Sequence, residues 1–141
     1  MKIKLADYIM SWIYKKGIDT VFTVSGGGSI VLCDALANNE KLKYICCHHE
    51  QSVAFATEGF SRSSKKVGIC LVTTGPGGTN TLTGLAAAWI DSVPMIQGEI
   101  EAGYPIRFLG DPAFHEPLSL ATDLGNDDPE LDAELARIIT E

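Results

Sequence analysis

The residues Cys46-Cys47-His48-His49-Glu50-Gln51 place two thiols, two imidazoles and a carboxylate side by side. Side chains of these types can bind a metal, move a proton, or trim a packed turn. If the preceding strand runs on to His49, its side chains alternate. Cys46 and His48 then point one way, and Cys47 and His49 the other. Four adjacent residues so arranged cannot close around one metal. A two-ligand contribution stays open, but no second cluster accompanies it, and no metal ligand is assigned. Glu50 falls where strand gives way to helix. It is either a carboxylate favoured by the helix dipole or one aimed into a pocket at the sheet edge.

Two glycine-rich stretches could receive a ligand. Thr73-Thr74-Gly75-Pro76-Gly77-Gly78-Thr79-Asn80 has no Lys after its glycines, so it is not a P-loop. Asn80 stands where a dinucleotide fingerprint would have its third glycine. Glycines let backbone approach a ligand, and the N-terminus of a following helix offers free N–H groups. The same residues also suit a tight strand-to-helix turn. Ser25-Gly26-Gly27-Gly28-Ser29 is a signal of the same kind and weaker alone.

The elements that must position these residues follow from hydrophobic periodicity. Leu5, Ile9, Trp12 and Ile13 lie at helical spacing, and Gly17 ends the run. Strands are expected within 20–25, 43–49, 66–74 and 93–96. Helices are expected within 29–39, with Ser29 near the N-cap, within 50–64 and within 79–92, with a loop at 75–78. The strands are almost continuously apolar, as when both faces are covered. Alternation with short links predicts an α/β fold, a parallel sheet with helices on both faces. Ligands in such folds sit beyond the strand C-termini, where all three polar stretches fall.

The formal net charge of −7 argues against a nucleic-acid surface. Residues 1–100 hold 9 Lys+Arg and 8 Asp+Glu; residues 101–141 hold 2 and 10. This break suggests two parts, 1–97 and an acidic tail over 98–141. The tail carries four of the six prolines. It reads as an extended segment, an irregular loop and a final helix capped by Asp128 with Pro129 in its first turn. No run of apolar residues is long enough to span a membrane. The start shows no signal-peptide pattern, so a cytoplasmic protein is expected. The four cysteines form no CxxC spacing and are expected to be reduced and buried.

Residues 1–96 resemble the pyrimidine-binding domain of thiamine-diphosphate-dependent enzymes of the acetolactate synthase-like branch. The carrying stretches are ADYIMSWIYKKGIDTVFTVSGGGSI, HHEQSVAFATEGFSR and LVTTGPGGTNTLTGLAAAWIDSVPMI. The resemblance implies thiamine diphosphate as cofactor. It also implies that Glu50 hydrogen-bonds the aminopyrimidine ring and favours the imino tautomer, whose nitrogen removes the thiazolium proton. The ylide then attacks a 2-keto acid. A carboxyl shielded from water, with a raised pKa, would suit that exchange. By the same carry-over Ser25, Gly26 and Gly27 line the reaction side, and Gly75, Pro76, Gly77 and Asn80 shape the pyrimidine pocket.

The chain departs from the family at Ser25, commonly proline, and at Thr23, commonly glycine, which leaves the 2-keto acid open. After Ile96 the family's Ser-Gly-Gln segment is replaced by QGEIEAG. The Gly-Asp-Gly and downstream Asn that hold Mg²⁺ in the family's diphosphate domain do not occur in the sequence. Mg²⁺ would therefore come only through that missing domain, and the chain alone would be inactive; the resemblance implies a homo-oligomer or a partner diphosphate-binding domain. Residues 103–141 weakly resemble the N-terminal segment of a peptide deformylase, through YPIRFLGDPAFHEPL, without that enzyme's metal motifs. The alternative to a half-site is a non-catalytic composite or designed α/β scaffold built from enzyme fragments.

Overall fold

The structure, a computed structural model, describes residues 3–98. The expected tail elements, the final helix and the deformylase-like stretch lie outside the described residues. The elements in chain order are α1 (Leu5–Lys15), β1 (Thr20–Thr23), a 3₁₀ turn (Gly27–Ser29), α2 (Ile30–Ala37), β2 (Lys43–Cys46), α3 (Glu50–Ser64), β3 (Gly68–Leu71), α4 (Pro76–Thr79), α5 (Leu82–Ile90) and β4 (Met95–Gly98).

The four strands form one sheet in the order β2-β1-β3-β4, with every pair parallel. The register sets Cys46 opposite Thr23, Thr23 opposite Leu71, and Leu71 opposite Gly98. All four strands thus end on one line. The loops after β2, β1 and β3 leave the same edge of the sheet side by side.

Alternation within strands divides two cores. Val21, Ile69 and Leu71 pack with Ile9, Met10, Ile13, Leu32 and Leu36 of α1 and α2. Phe22, Cys70 and Val72 face the other way, onto Val53 and Ala54 of α3 and Leu85 and Ala88 of α5. Helices therefore cover both faces, as the periodicity predicts. Helix α1 buries Ala6, Ile9, Met10 and Ile13, the 3–4 spacing of one helical face. It stops where Gly17, at φ +82°, reverses the chain. Gly17 N–H donates to Tyr14 O and Ile18 N–H to Ile13 O, a Schellman closure that drops Ile18 into the core.

Several boundaries differ from expectation. β2 ends at Cys46, not His49, and all four of its residues are exposed. It is an edge strand, so its apolar Tyr44 and Ile45 do not mark burial on both faces. Gly75–Gly78 is not a plain loop, because Pro76 starts a single helical turn. Ser29 does stand at the N-cap position of α2, as expected, but its side chain makes no capping bond; its hydroxyl donates to Gly26 O at 3.2 Å. The thiols are free, but only Cys70 is buried and Cys46 is exposed.

Candidate functional site

His49 adopts extended backbone, and its Nδ1 accepts the Gln51 N–H at 3.1 Å. The imidazole thus caps α3 and satisfies one of the free donors of its first turn. Because β2 has already ended, the side chains from His48 onward do not follow strand alternation. Among the described residues no group of three or more His, Cys, Asp or Glu could hold a metal.

Capping by His49 fixes Glu50 as the first residue of α3. Its Oε2 accepts from Asn80 Nδ2 at 2.9 Å. The Asn80 bond is the chief reason the carboxyl lies below its ordinary value of 4.5; its own backbone N–H acts the same way, burial opposes them, and the nearby His49 adds a lesser pull downward. The expectation of a shielded carboxyl with a raised pKa is therefore corrected for the free chain. Glu50 is only half-buried, and a charged acceptor with a good donor is favoured over its protonated form.

Asn80 reaches Glu50 because of the turn that precedes it. Gly75 has φ +66° and ψ −125°, a conformation that only glycine adopts without strain. Pro76 then supplies the first helical residue, where no N–H is needed. Thr79 N–H donates to Gly75 O and Asn80 N–H to Pro76 O, both at 3.0 Å. A Cβ on Gly77 would lie 2.6 Å from Thr73 Cγ2 and 3.5 Å from Glu50 Oε1. Gly77 is thus the floor between the carboxylate and the end of β3.

Thr73 joins the remaining loop to this floor. Its Oγ1 accepts the Gly28 N–H at 3.1 Å. A Cβ on Gly26 would meet Thr73 Cβ at 2.5 Å, so that position requires glycine for close approach. Thr73 therefore holds Gly26, Gly28 and Gly77 together, and sequence reasoning did not single it out. A hydroxyl next to glycines at a strand terminus was the available signal. Of the expected site residues, Glu50, Gly75, Pro76, Gly77 and Asn80 converge directly, and Gly26 joins them through Thr73. Ser25 and Gly27 are exposed on the same loop, and neither shares a hydrogen bond with Glu50 or Asn80 among the described residues. A Cβ on Gly27 or Gly75 would meet nothing within 4 Å, so open space borders both loops.

An open depression of about 660 Å³ lies elsewhere, between α1 and the end of α2, lined by Asp7, Tyr14, Lys15, Asn38 and Lys41 among others. Its residues precede β1 and β2 rather than follow them, and Lys41 caps the Tyr14 ring at 5.3 Å. It is separate from the Glu50 site. No helix of the described residues is long and apolar enough to cross a membrane.

Comparison with known proteins bears on this edge of the sheet. Residues 3–107 match the family described as thiamine pyrophosphate enzyme, N-terminal TPP binding domain. The match crosses residue 97 and reaches past the change in charge balance. The chain is 42% identical over 113 residues to the chloroplastic acetolactate synthase of Arabidopsis thaliana, covering 80% of this chain and 17% of that protein. It is 38% identical over 113 residues to the acetolactate synthase isozyme 2 large subunit of Escherichia coli, 79% of this chain and 20% of that one. With the acetolactate synthase large subunit of Lactococcus lactis it shares 37% over 121 residues, 82% and 21% respectively. The match thus spans about a fifth of the length of these curated relatives.

Proposed function

The chain belongs to the thiamine pyrophosphate enzymes through their N-terminal TPP-binding domain, and from that premise we propose that its Glu50 edge is the pyrimidine-binding half of a thiamine diphosphate site serving acetolactate synthase-like chemistry on 2-keto acids. The observation that carries this reading is the Glu50–Asn80 pair above Gly77. Asn80 occupies Oε2, while Oε1 faces the glycine turn. An ionised carboxylate has about four lone-pair positions, so acceptor capacity is left for a ring N–H.

The donor set fits an aminopyrimidine. Such a ring offers N–H groups to a carboxylate and a flat face to backbone. Gly75 borders open space, and Gly26 and Gly77 let the two loops close onto Thr73 beside it. When bound, the cofactor supplies the carbanion chemistry. The protein's part is to hold and orient. Glu50 would accept a hydrogen bond from a ring N–H, Asn80 fixes the carboxylate's rotation, and Thr73 keeps the two glycine loops in register. Docking of a ring over Glu50 would exclude water and push its pKa upward from the low value of the free chain, the direction that favours sharing a proton.

The diphosphate and Mg²⁺ fall in this reading to a diphosphate-binding domain other than residues 1–141, so these residues by themselves do not turn over. Calorimetry with thiamine diphosphate and Mg²⁺ tests the half-site. Weak binding is expected for the chain and its loss for Glu50→Gln; equal heats from both proteins would contradict the role of the carboxylate. Incubation with a 2-keto acid is expected to yield no acetolactate or aldehyde, and product above the protein-free control would contradict the need for a partner domain.

A further inference from the structure

A buried polar pair lies behind Asn80. Thr81 is fully buried and Gln97, on β4, is 2% exposed. Thr81 Oγ1 sits 2.6 Å from Gly78 O and 2.6 Å from the Gln97 side-chain amide oxygen. A hydroxyl has one proton to give. Turning the Gln97 amide by half a rotation presents its N–H to Thr81 and lets the hydroxyl donate to Gly78, so that the two short contacts become compatible. Gly78 O also accepts the Thr81 N–H at 3.1 Å.

The corner between α4 and α5 is thereby tied to β4. Asn80 lies between the two tied residues, Gly78 and Thr81, with its own N–H on Pro76 O. Its side chain is exposed and still reaches Glu50 at 2.9 Å. In water such a bond competes with solvent and with rotamer freedom. A fixed backbone removes part of that cost. A directional bond between two buried polar side chains fixes one geometry, which an apolar contact does not.

We propose that Thr81 and Gln97 are positioning residues, which hold Asn80 against Glu50 and so set the orientation of the site carboxylate. The inference rests on the reading of Glu50 as the working group of the half-site.

The test uses the full chain at neutral pH without cofactor, reading the Asn80 Nδ2 protons by NMR. Glu50→Ala defines the broken bond: shifted Nδ2 signals and about fivefold faster exchange. Thr81→Val and Gln97→Met are expected to move those signals at least half as far in the same direction. Thr81→Ser should keep the wild-type pattern. Leu85→Ala, which loosens α5 while keeping its own backbone bond to Thr81 O and both side chains of the pair, should leave it in place. Wild-type Nδ2 signals in both Thr81→Val and Gln97→Met would overturn the proposal, as would an equal displacement in Leu85→Ala. If Thr81→Val does not fold, Gln97→Met and Thr81→Ser decide. Failure of the half-site reading looks different: the Asn80 pattern would follow these variants while thiamine diphosphate leaves the wild-type spectrum unchanged.

Discussion

Glu50 is an acceptor in the free chain because Asn80 donates to it and solvent still reaches it. Its lowered pKa fixes the sign of a pH effect. The bond's contribution is present above the ordinary glutamate value of 4.5 and is lost as pH falls through the lower, folded value. Urea midpoints measured from pH 3 to 7 should therefore fall on the acid side. Asn80→Ala should flatten part of that fall while lowering neutral stability by no more than about 1 kcal/mol, since the pair is half exposed. The thiols offer a second check. Burial pushes Cys70 up to about 12 and also raises Cys47, whereas Cys46 is exposed. Alkylation at pH 8 followed by peptide mapping should label Cys46 first and Cys70 last.

At the scale of elements, close approach decides what each glycine does. Gly84 on α5 faces α3, where an added Cβ would lie 2.5 Å from Ala54 Cβ and 3.2 Å from Ala54 C. Backbone cannot yield cheaply there. Gly84→Ala is expected to cost about 1–3 kcal/mol, outweighing the roughly 1 kcal/mol that alanine gains in helix propensity. Gly59 on α3 meets nothing within 4 Å, so Gly59→Ala should stabilise by about 0.5–1 kcal/mol. Thermal melts of the two variants should move in opposite directions. The elements themselves were largely legible. Opposite partners for Val21 and Phe22 follow from alternation, and the end of α1 follows from Gly17. The length of β2 and its edge position were not, because Tyr44 and Ile45 read as core until the strand order is known. Thr73 and the Thr81–Gln97 pair were also hidden. Their bonds join residues far apart in sequence, and only the register of β1, β3 and β4 brings them together.

For the whole molecule, the parallel register gathers three loops on one edge and leaves two strands, β2 and β4, at the margins of the described sheet. The fold is held chiefly by its two cores. Leu36, 2% exposed, should cost about 2–5 kcal/mol when changed to alanine. The exposed Lys66–Asp19 pair should cost under about 1 kcal/mol when broken by Lys66→Ala. Equilibrium urea unfolding gives both values. The family match was legible because long motifs keep their order around Glu50 and Asn80; the carboxylate's exposure was not, because burial depends on what covers the sheet edge.

The most direct test of the half-site is a titration of the chain with thiamine diphosphate and Mg²⁺, followed through backbone amide NMR signals. Shifts confined to residues 22–29, 46–52 and 74–80, and absent in Glu50→Gln, are the predicted result. A well-dispersed spectrum that does not change with the cofactor would contradict it and leave the Glu50 edge as inherited packing.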